Sequence, residues 1–205
     1  MQNFVITIGR QYGSGGKEIG IALADRLGIK CYDRTLIELA TQKSGFSREA
    51  IEKIDEKQAN PFFVPIMQGY YSTPTGGSFE LTMNDKLFSV ESEIIKNIAI
   101  NESAVIVGRC SNVVLKDMPH VLNVFIHAPM EERVKRIMAR KNLDEKKATE
   151  EIKKIDKKRA QYFDFYTGKK WGDPTEYHVT FSSTLGVNAI VETLVMLLKS
   201  EKFTS

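Results

Sequence analysis

A chain of 205 residues, 42% hydrophobic and 27% charged, has enough apolar material for one well-buried core, and its net charge of +3 is too small to single out a nucleic-acid partner. No apolar run approaches the length of a membrane span, and the start of the chain lacks the basic-then-apolar pattern of an export signal, so a soluble, cytoplasmic protein is expected. Cys31 and Cys110 have no paired spacing and lie in or beside apolar runs, as buried reduced thiols do.

Taken in chain order, residues 4–8 form an apolar strand that runs through a glycine-rich turn into a helix over 19–27. That helix carries Ile19, Leu23, Ala24 and Leu27 on one face, and Gly28 stops it. A short strand over 29–33 precedes helical sequence at 35–41 and 48–57. Periodicity is lost between 60 and 84, where Pro, Gly, Ser, Thr and aromatics mark a long irregular connection. A helix over 85–101 leads into the β-branched strand 104–107, and Gly108-Arg109 follow its end. Then come a strand at 121–126, a helix at 130–141, a highly charged helical arm at 143–165, a strand at 177–181 and a helix at 187–199. The alternation predicts an α/β fold: a parallel sheet with helices on both faces and ligand groups beyond the carboxyl ends of the strands.

The turn Gly13-Ser14-Gly15-Gly16-Lys17 has the layout of an anion site. Residues without side chains let backbone N–H groups converge on a phosphate, and the next helix presents its positive end. The strict pattern G-x-x-x-x-G-K-[ST] is narrowly missed, because Gln11 and Glu18 stand where Gly and Ser or Thr would be. The competing reading is a plain strand-to-helix turn. Arg133, Arg136 and Arg140 share one helix face, which is either a phosphate-facing cluster or a solvated face paired with Glu131 and Glu132. The arm adds Asp156-Lys157-Lys158-Arg159 and then Tyr162, Tyr166 and Trp171, readable as a lid over a polyphosphate or as an RNA-binding helix with stacking rings.

Arg109, after a glycine at the end of a buried strand, points into the crevice, either toward a phosphate or toward a carboxylate at the sheet rim. Asp33 can orient a substrate hydroxyl or metal-bound water, or cap the next helix. Ser182-Ser183-Thr184 can meet a nucleotide base or cap the last helix. His120, His127 and Cys110 have no partner spacing for a metal or nucleophilic site.

Taken together, these motifs resemble the cytidylate kinase-like family within the nucleoside monophosphate kinase group of P-loop proteins. The likeness rests on Arg10 with Tyr12-Gly13-Ser14-Gly15-Gly16-Lys17-Glu18-Ile19, Tyr32-Asp33-Arg34, Val107-Gly108-Arg109, Glu132-Arg133 with Arg136, Asp156 to Arg159, and Trp171-Gly172-Asp173-Pro174. It implies a three-layer P-loop kinase fold in a single domain, with 44–100 as an acceptor-binding region and 141–175 as a lid arm. It also implies ATP-dependent phosphoryl transfer to a small-molecule acceptor such as a nucleoside monophosphate, with ATP and Mg²⁺ as companions. By the same resemblance Lys17, Arg109, Arg136 and Arg159 are catalytic. Arg10, Gly13, Ser14, Gly15, Gly16, Lys17, Glu18, Ser183 and Thr184 surround the donor, while Asp33, Arg34 and Arg109 meet the acceptor.

The resemblance assigns no metal ligand, and the departures lie around that point. Aligned without a gap, the Walker lysine of cytidylate kinases falls on Gly16, their metal-binding hydroxyl on Glu18 and the first glycine of their loop on Arg10. The acids that flank Gly-Arg in those enzymes fall on Val107 and Cys110. A nucleotide-binding regulatory protein with little or no turnover is the alternative these changes leave open.

Overall fold

The computed structural model describes residues 3–33 and 83–199. The helical sequence expected at 35–41 and 48–57, the irregular connection, Arg34 and most of the expected acceptor-binding region lie outside the described residues. Within them, strands β1 (Val5–Arg10), β2 (Lys30–Tyr32), β3 (Ala104–Val107), β4 (Val121–His127) and β5 (Val179–Ser182) form one parallel sheet in the order β2-β3-β1-β4-β5. β1 is central, with Ile8 opposite both Val107 and Val124. The chain therefore leaves β1 where neighbouring connections diverge, which is where open α/β sheets form their crevice.

Alternate residues of the strands face opposite sides, and each side has its own apolar cover. Helix α1 (Gly16–Leu27) and the last helix, α6 (Val187–Leu198), cover the first side. Ile19, Leu23, Ile190 and Leu194 pack there on Ile6, Ile8, Val105, Val124 and Ile126. Helix α2 (Met83–Asn101) covers the other side, with Ile95 and Ala99 on Val5, Ala104, Ile106 and Val121. The one-turn helix α3 (Ser111–Val114) follows β3 directly.

Helices α4 (Met130–Lys141) and α5 (Glu145–Thr167) form a hairpin at the carboxyl end of the sheet. Asp144 caps α5 by accepting from the Lys147 amide at 2.8 Å, and Gly168, at φ 65°, ends it. The hairpin has its own small core of Val134, Ile137, Ala148 and Ile152, and Tyr12 from the glycine-rich turn is packed into it. This third cluster positions the hairpin against the turn.

Several element ends differ by one to three residues from the sequence expectation, and two of these bear on the glycine-rich turn. β1 continues through Gly9 and Arg10, because these pair in register with Phe125 and Ile126. α1 begins at Gly16, three positions before the first apolar residue of its buried face, so the turn is shorter than hydrophobic periodicity suggests.

Helix α1 lies close to the sheet at Gly20, where an added Cβ would sit 2.9 Å from Val107 Cγ2 and 3.2 Å from Ile8 Cδ1. Replacing a mid-helix glycine by alanine gains about 1 kcal/mol of helix propensity, whereas overpacking a close-packed core costs about 1–3 kcal/mol. Both neighbours are buried. Gly20→Ala is therefore expected to be net destabilising and to lower the thermal unfolding midpoint by a few degrees, roughly 2–4 °C per kcal/mol.

Candidate active site at the carboxyl end of the sheet

The glycine-rich turn is fixed to β4 from below. Gln11 N–H donates to the Ile126 carbonyl at 3.0 Å, and the Gln11 Oε1 accepts from the Ala128 amide at 3.1 Å. Ser14 is fully buried, with its hydroxyl directed at the carbonyls of Gln11 (2.9 Å) and Ile126 (3.1 Å). Gly13 and Gly15 have φ of 78° and 83°, a region in which a side chain is strained. Gly15 is the N-cap of α1 and supplies no side-chain cap, so the first helical amides are left for an external anion.

Arginines from the hairpin converge on the carbonyls of this turn. Arg159 Nη1 donates to the Arg10 carbonyl at 2.9 Å, Arg133 Nη1 to that of Tyr12 at 3.3 Å, and Arg136 Nη1 to that of Gly13 at 2.8 Å. The Arg136 guanidinium also lies over Gly15, 3.2 Å from where a Cβ would stand. Arg140 and Arg159 sit 5.3 and 5.5 Å from the centre of the Tyr12 ring. Arg133, almost fully buried, is ion-paired with Asp156, whose other oxygen accepts from the Tyr12 amide at 2.8 Å. The shared face of Arg133, Arg136 and Arg140 is thus turned toward the glycine turn, not toward Glu131 and Glu132; Glu132 pairs with Lys135.

The arm presents its lysines outward: Lys153, Lys154, Lys157 and Lys158 are exposed. Its aromatics point the other way. Tyr166 stacks on Phe88 with centroids 4.2 Å apart, Tyr162 packs edge-on to the same ring, and Trp171 packs on Phe125. Rings packed on one another and part-buried are less free to stack nucleobases than the sequence of the arm suggests.

Beside the turn, β3 ends in three successive left-handed residues, Gly108, Arg109 and Cys110, at φ 87°, 55° and 53°. Two of these are not glycine, and such strain persists only where the surroundings impose it. The Arg10 side chain lies across Gly108, its Nη1 1.9 Å from where a Cβ there would stand. The Arg109 Nη1 stands 3.4 Å from Oε1 of Glu91 on α2, and both side chains are buried, at 9% and 1% exposure. Tyr162 completes the group by donating to Glu91 Oε2 at 3.4 Å. Burial, together with the neighbouring Glu91 charge, holds the Tyr162 phenol well above its ordinary range, so it stays a donor. Burial likewise pushes the Cys110 thiol up to about 12, which leaves it unreactive.

Glu91 was not singled out by the sequence reading, although a signal existed. Leu87, Glu91, Ile95 and Ala99 occupy one buried stripe of α2 at intervals of four, and a carboxylate in such a stripe requires a buried partner.

On the other flank, Lys17 Nζ is 2.5 Å from Asp33 Oδ2, at the end of β2. Glu18 is half exposed, 3.9 Å from Arg140. Ser183 and Thr184 form a one-turn helix after β5, and the Ser182 and Thr184 hydroxyls are 2.8 Å apart. β5 brings them to the same edge as the turn, because Ser182 lies opposite His127, next to the Ile126 that anchors Gln11 and Ser14. The sequence-derived residues 10, 13–18, 33, 109, 136, 159, 183 and 184 all lie at the carboxyl end of the sheet.

The donor set suits a polyphosphate: uncapped helix amides, a glycine turn and guanidinium groups around it. For Mg²⁺ the described residues offer less: Glu18 stands where the strict pattern has a hydroxyl, and the Asp33 carboxylate is held by the Lys17 ammonium.

No curated protein sequence matches the chain significantly. Among solved structures it is similar to an uncharacterized protein from Eubacterium ventriosum, with 25% identity and a TM-score of 0.72 over 97% of this chain and 100% of that one. The shikimate kinase from Bacteroides thetaiotaomicron shares the fold at 13% identity and a TM-score of 0.56, covering 96% and 99% of the two chains. So does the shikimate kinase from Acinetobacter baumannii solved in complex with shikimate, at 16% identity and 0.52, covering 97% and 93%. The sheet order and central glycine turn are thus those of a P-loop kinase fold. The sequence profile of the cytidylate kinase-like family matches residues 5–185, and the chain belongs to that family.

Proposed function

We propose that the protein transfers the γ-phosphoryl group of ATP to a hydroxyl or phosphate oxygen of a small-molecule acceptor. The observation that carries this reading is the convergence of Arg133, Arg136 and Arg159 on consecutive stretches of one glycine turn at a helix N-terminus. Phosphoryl transfer asks little covalent chemistry of a protein; it needs fixed positive charge and amide donors where negative charge spreads. In this reading the amides of Gly13 to Lys17 cradle the donor phosphates, and Arg136 and Arg159 neutralise the group in transit. Ser183 and Thr184 flank the base.

Arg109 faces the acceptor, with Asp33 on the side of β2; the family resemblance adds Arg34, which lies outside the described residues. Glu91 and Tyr162 are positioning residues that hold the Arg109 guanidinium in one orientation. The acceptor class extends from nucleoside monophosphates, suggested by the family, to small hydroxylated molecules like those of the kinases sharing the fold. A nucleotide-binding protein with little turnover is the second reading, favoured by the commitment of Lys17 to Asp33 and of the Tyr12 amide to Asp156.

ADP release measured across a panel of nucleoside monophosphates and small hydroxylated acids and sugars is expected to exceed the background ATPase for at least one acceptor. Tight ATP binding without any such acceptor would favour the second reading. Arg136→Ala is expected to lower kcat/KM by about 10²-fold or more, as loss of a transition-state donor does, while the protein remains folded by circular dichroism. Glu91→Ala removes the carboxylate from a buried pair and is expected to destabilise by about 3 kcal/mol. In steady-state assays its effect falls on the acceptor KM, with the ATP KM little changed.

A further inference from the structure

Lys17 lies in the first turn of α1, where acidic side chains are favoured and a cation opposes the helix dipole. Its charge is held there by Asp33, at 2.5 Å, with the lysine side chain 55% exposed and the carboxylate only 15%. The ammonium is therefore anchored at the edge of the turn yet open to a ligand on it. In the strict P-loop pattern the first helical turn instead offers a hydroxyl to Mg²⁺, which carries the charge that draws in the phosphates. Here that turn offers Lys17 and Glu18, and Glu18 faces Arg140.

The Asp33 carboxylate at the end of β2 is the partner of the ammonium, so a magnesium ion held by Asp33 would have to displace Lys17 from it. Cys31 sits in the same pocket of charge, its thiol raised to about 11 by burial and by Asp33.

We propose that the Lys17 ammonium, held by Asp33, replaces the divalent cation at the donor phosphates, so that this chain binds nucleoside triphosphate without Mg²⁺. The proposal rests on the reading of the glycine turn as a triphosphate site. It makes Lys17 a ligand of the nucleotide and Asp33 the residue that positions it. One ammonium carries less charge than a magnesium ion, and Arg136, Arg159 and Arg10 at the same turn supply the remainder.

Isothermal titration of the full chain with ATP, in EDTA and again in Mg²⁺, tests this directly. The two dissociation constants are expected to agree within about threefold, a difference below 1 kcal/mol. Lys17→Thr, which removes the ammonium from the first turn and releases Asp33, is expected to weaken metal-free binding by about tenfold or more, the value of a hydrogen bond to a charged group. Added Mg²⁺ should then restore affinity to the variant alone. Asp33, only 15% exposed, then loses its partner, so the thermal unfolding midpoint of the variant is measured alongside to separate a loss of binding from a loss of fold.

If wild-type affinity instead rises by about tenfold or more on adding Mg²⁺, the ammonium does not replace the metal, and the kinase reading stands without it. An unchanged metal-free affinity in Lys17→Thr has the same consequence. Absence of ATP binding by the wild-type chain under both conditions overturns the triphosphate site itself.

Discussion

The site depends on guanidinium groups bonded to the main-chain carbonyls of the glycine-rich turn. A turn with left-handed residues at Gly13 and Gly15 has peptide groups that can rotate, and only one orientation directs its amides toward a common anion. Arg159, Arg133 and Arg136 fix the carbonyls of Arg10, Tyr12 and Gly13, while Ser14 and Gln11 tie the turn to β4. Each arginine uses a donor for this purpose; Arg133 is neutralised by Asp156, while Arg136 and Arg159 bring positive charge to the turn. The same contacts thus shape the backbone and set the local potential.

Buried ionic groups on both flanks extend this arrangement. Arg133 with Asp156 links α4, α5 and the turn, and Arg109 with Glu91 and Tyr162 links the end of β3 to α2 and α5. A buried pair is a weak source of net stability but a strong constraint on geometry, because breaking one partner leaves an uncompensated charge. The left-handed backbone at Arg109 and Cys110 follows Gly108, across which the Arg10 side chain is packed. The geometry of the candidate site and the fold are therefore coupled through α5, whose Asp156, Arg159 and Tyr162 each face a different part of it.

Much of this was legible in the chain itself. The runs that became β3 and α4 are delimited by their own composition: four β-branched or small apolar residues before Gly108, and a basic amphipathic segment after Pro129. The turn was legible as a glycine-rich link between a strand and a helix, and its spacing suggested an anion site alongside a plain turn. Glu91 was overlooked because a lone acid on a predicted helix reads as solvated until its stripe is known to face the core. The alternatives at Arg109 also resisted resolution, since the carboxylate that meets it lies 18 positions earlier on another element.

Local sequence determined the order of strands and helices, the glycine cradle and the set of cations available to it, because hydrophobic period and backbone freedom are properties of neighbouring residues. Only the tertiary structure decided which charges meet: Lys17 with Asp33, Asp156 with the Tyr12 amide, Glu91 with Arg109. These pairings join residues far apart in the chain, brought together by the 2-3-1-4-5 strand order and by the packing of Tyr12 into the hairpin core. Electrostatic partners are set by distance and burial in the folded chain, and no local pattern encodes either.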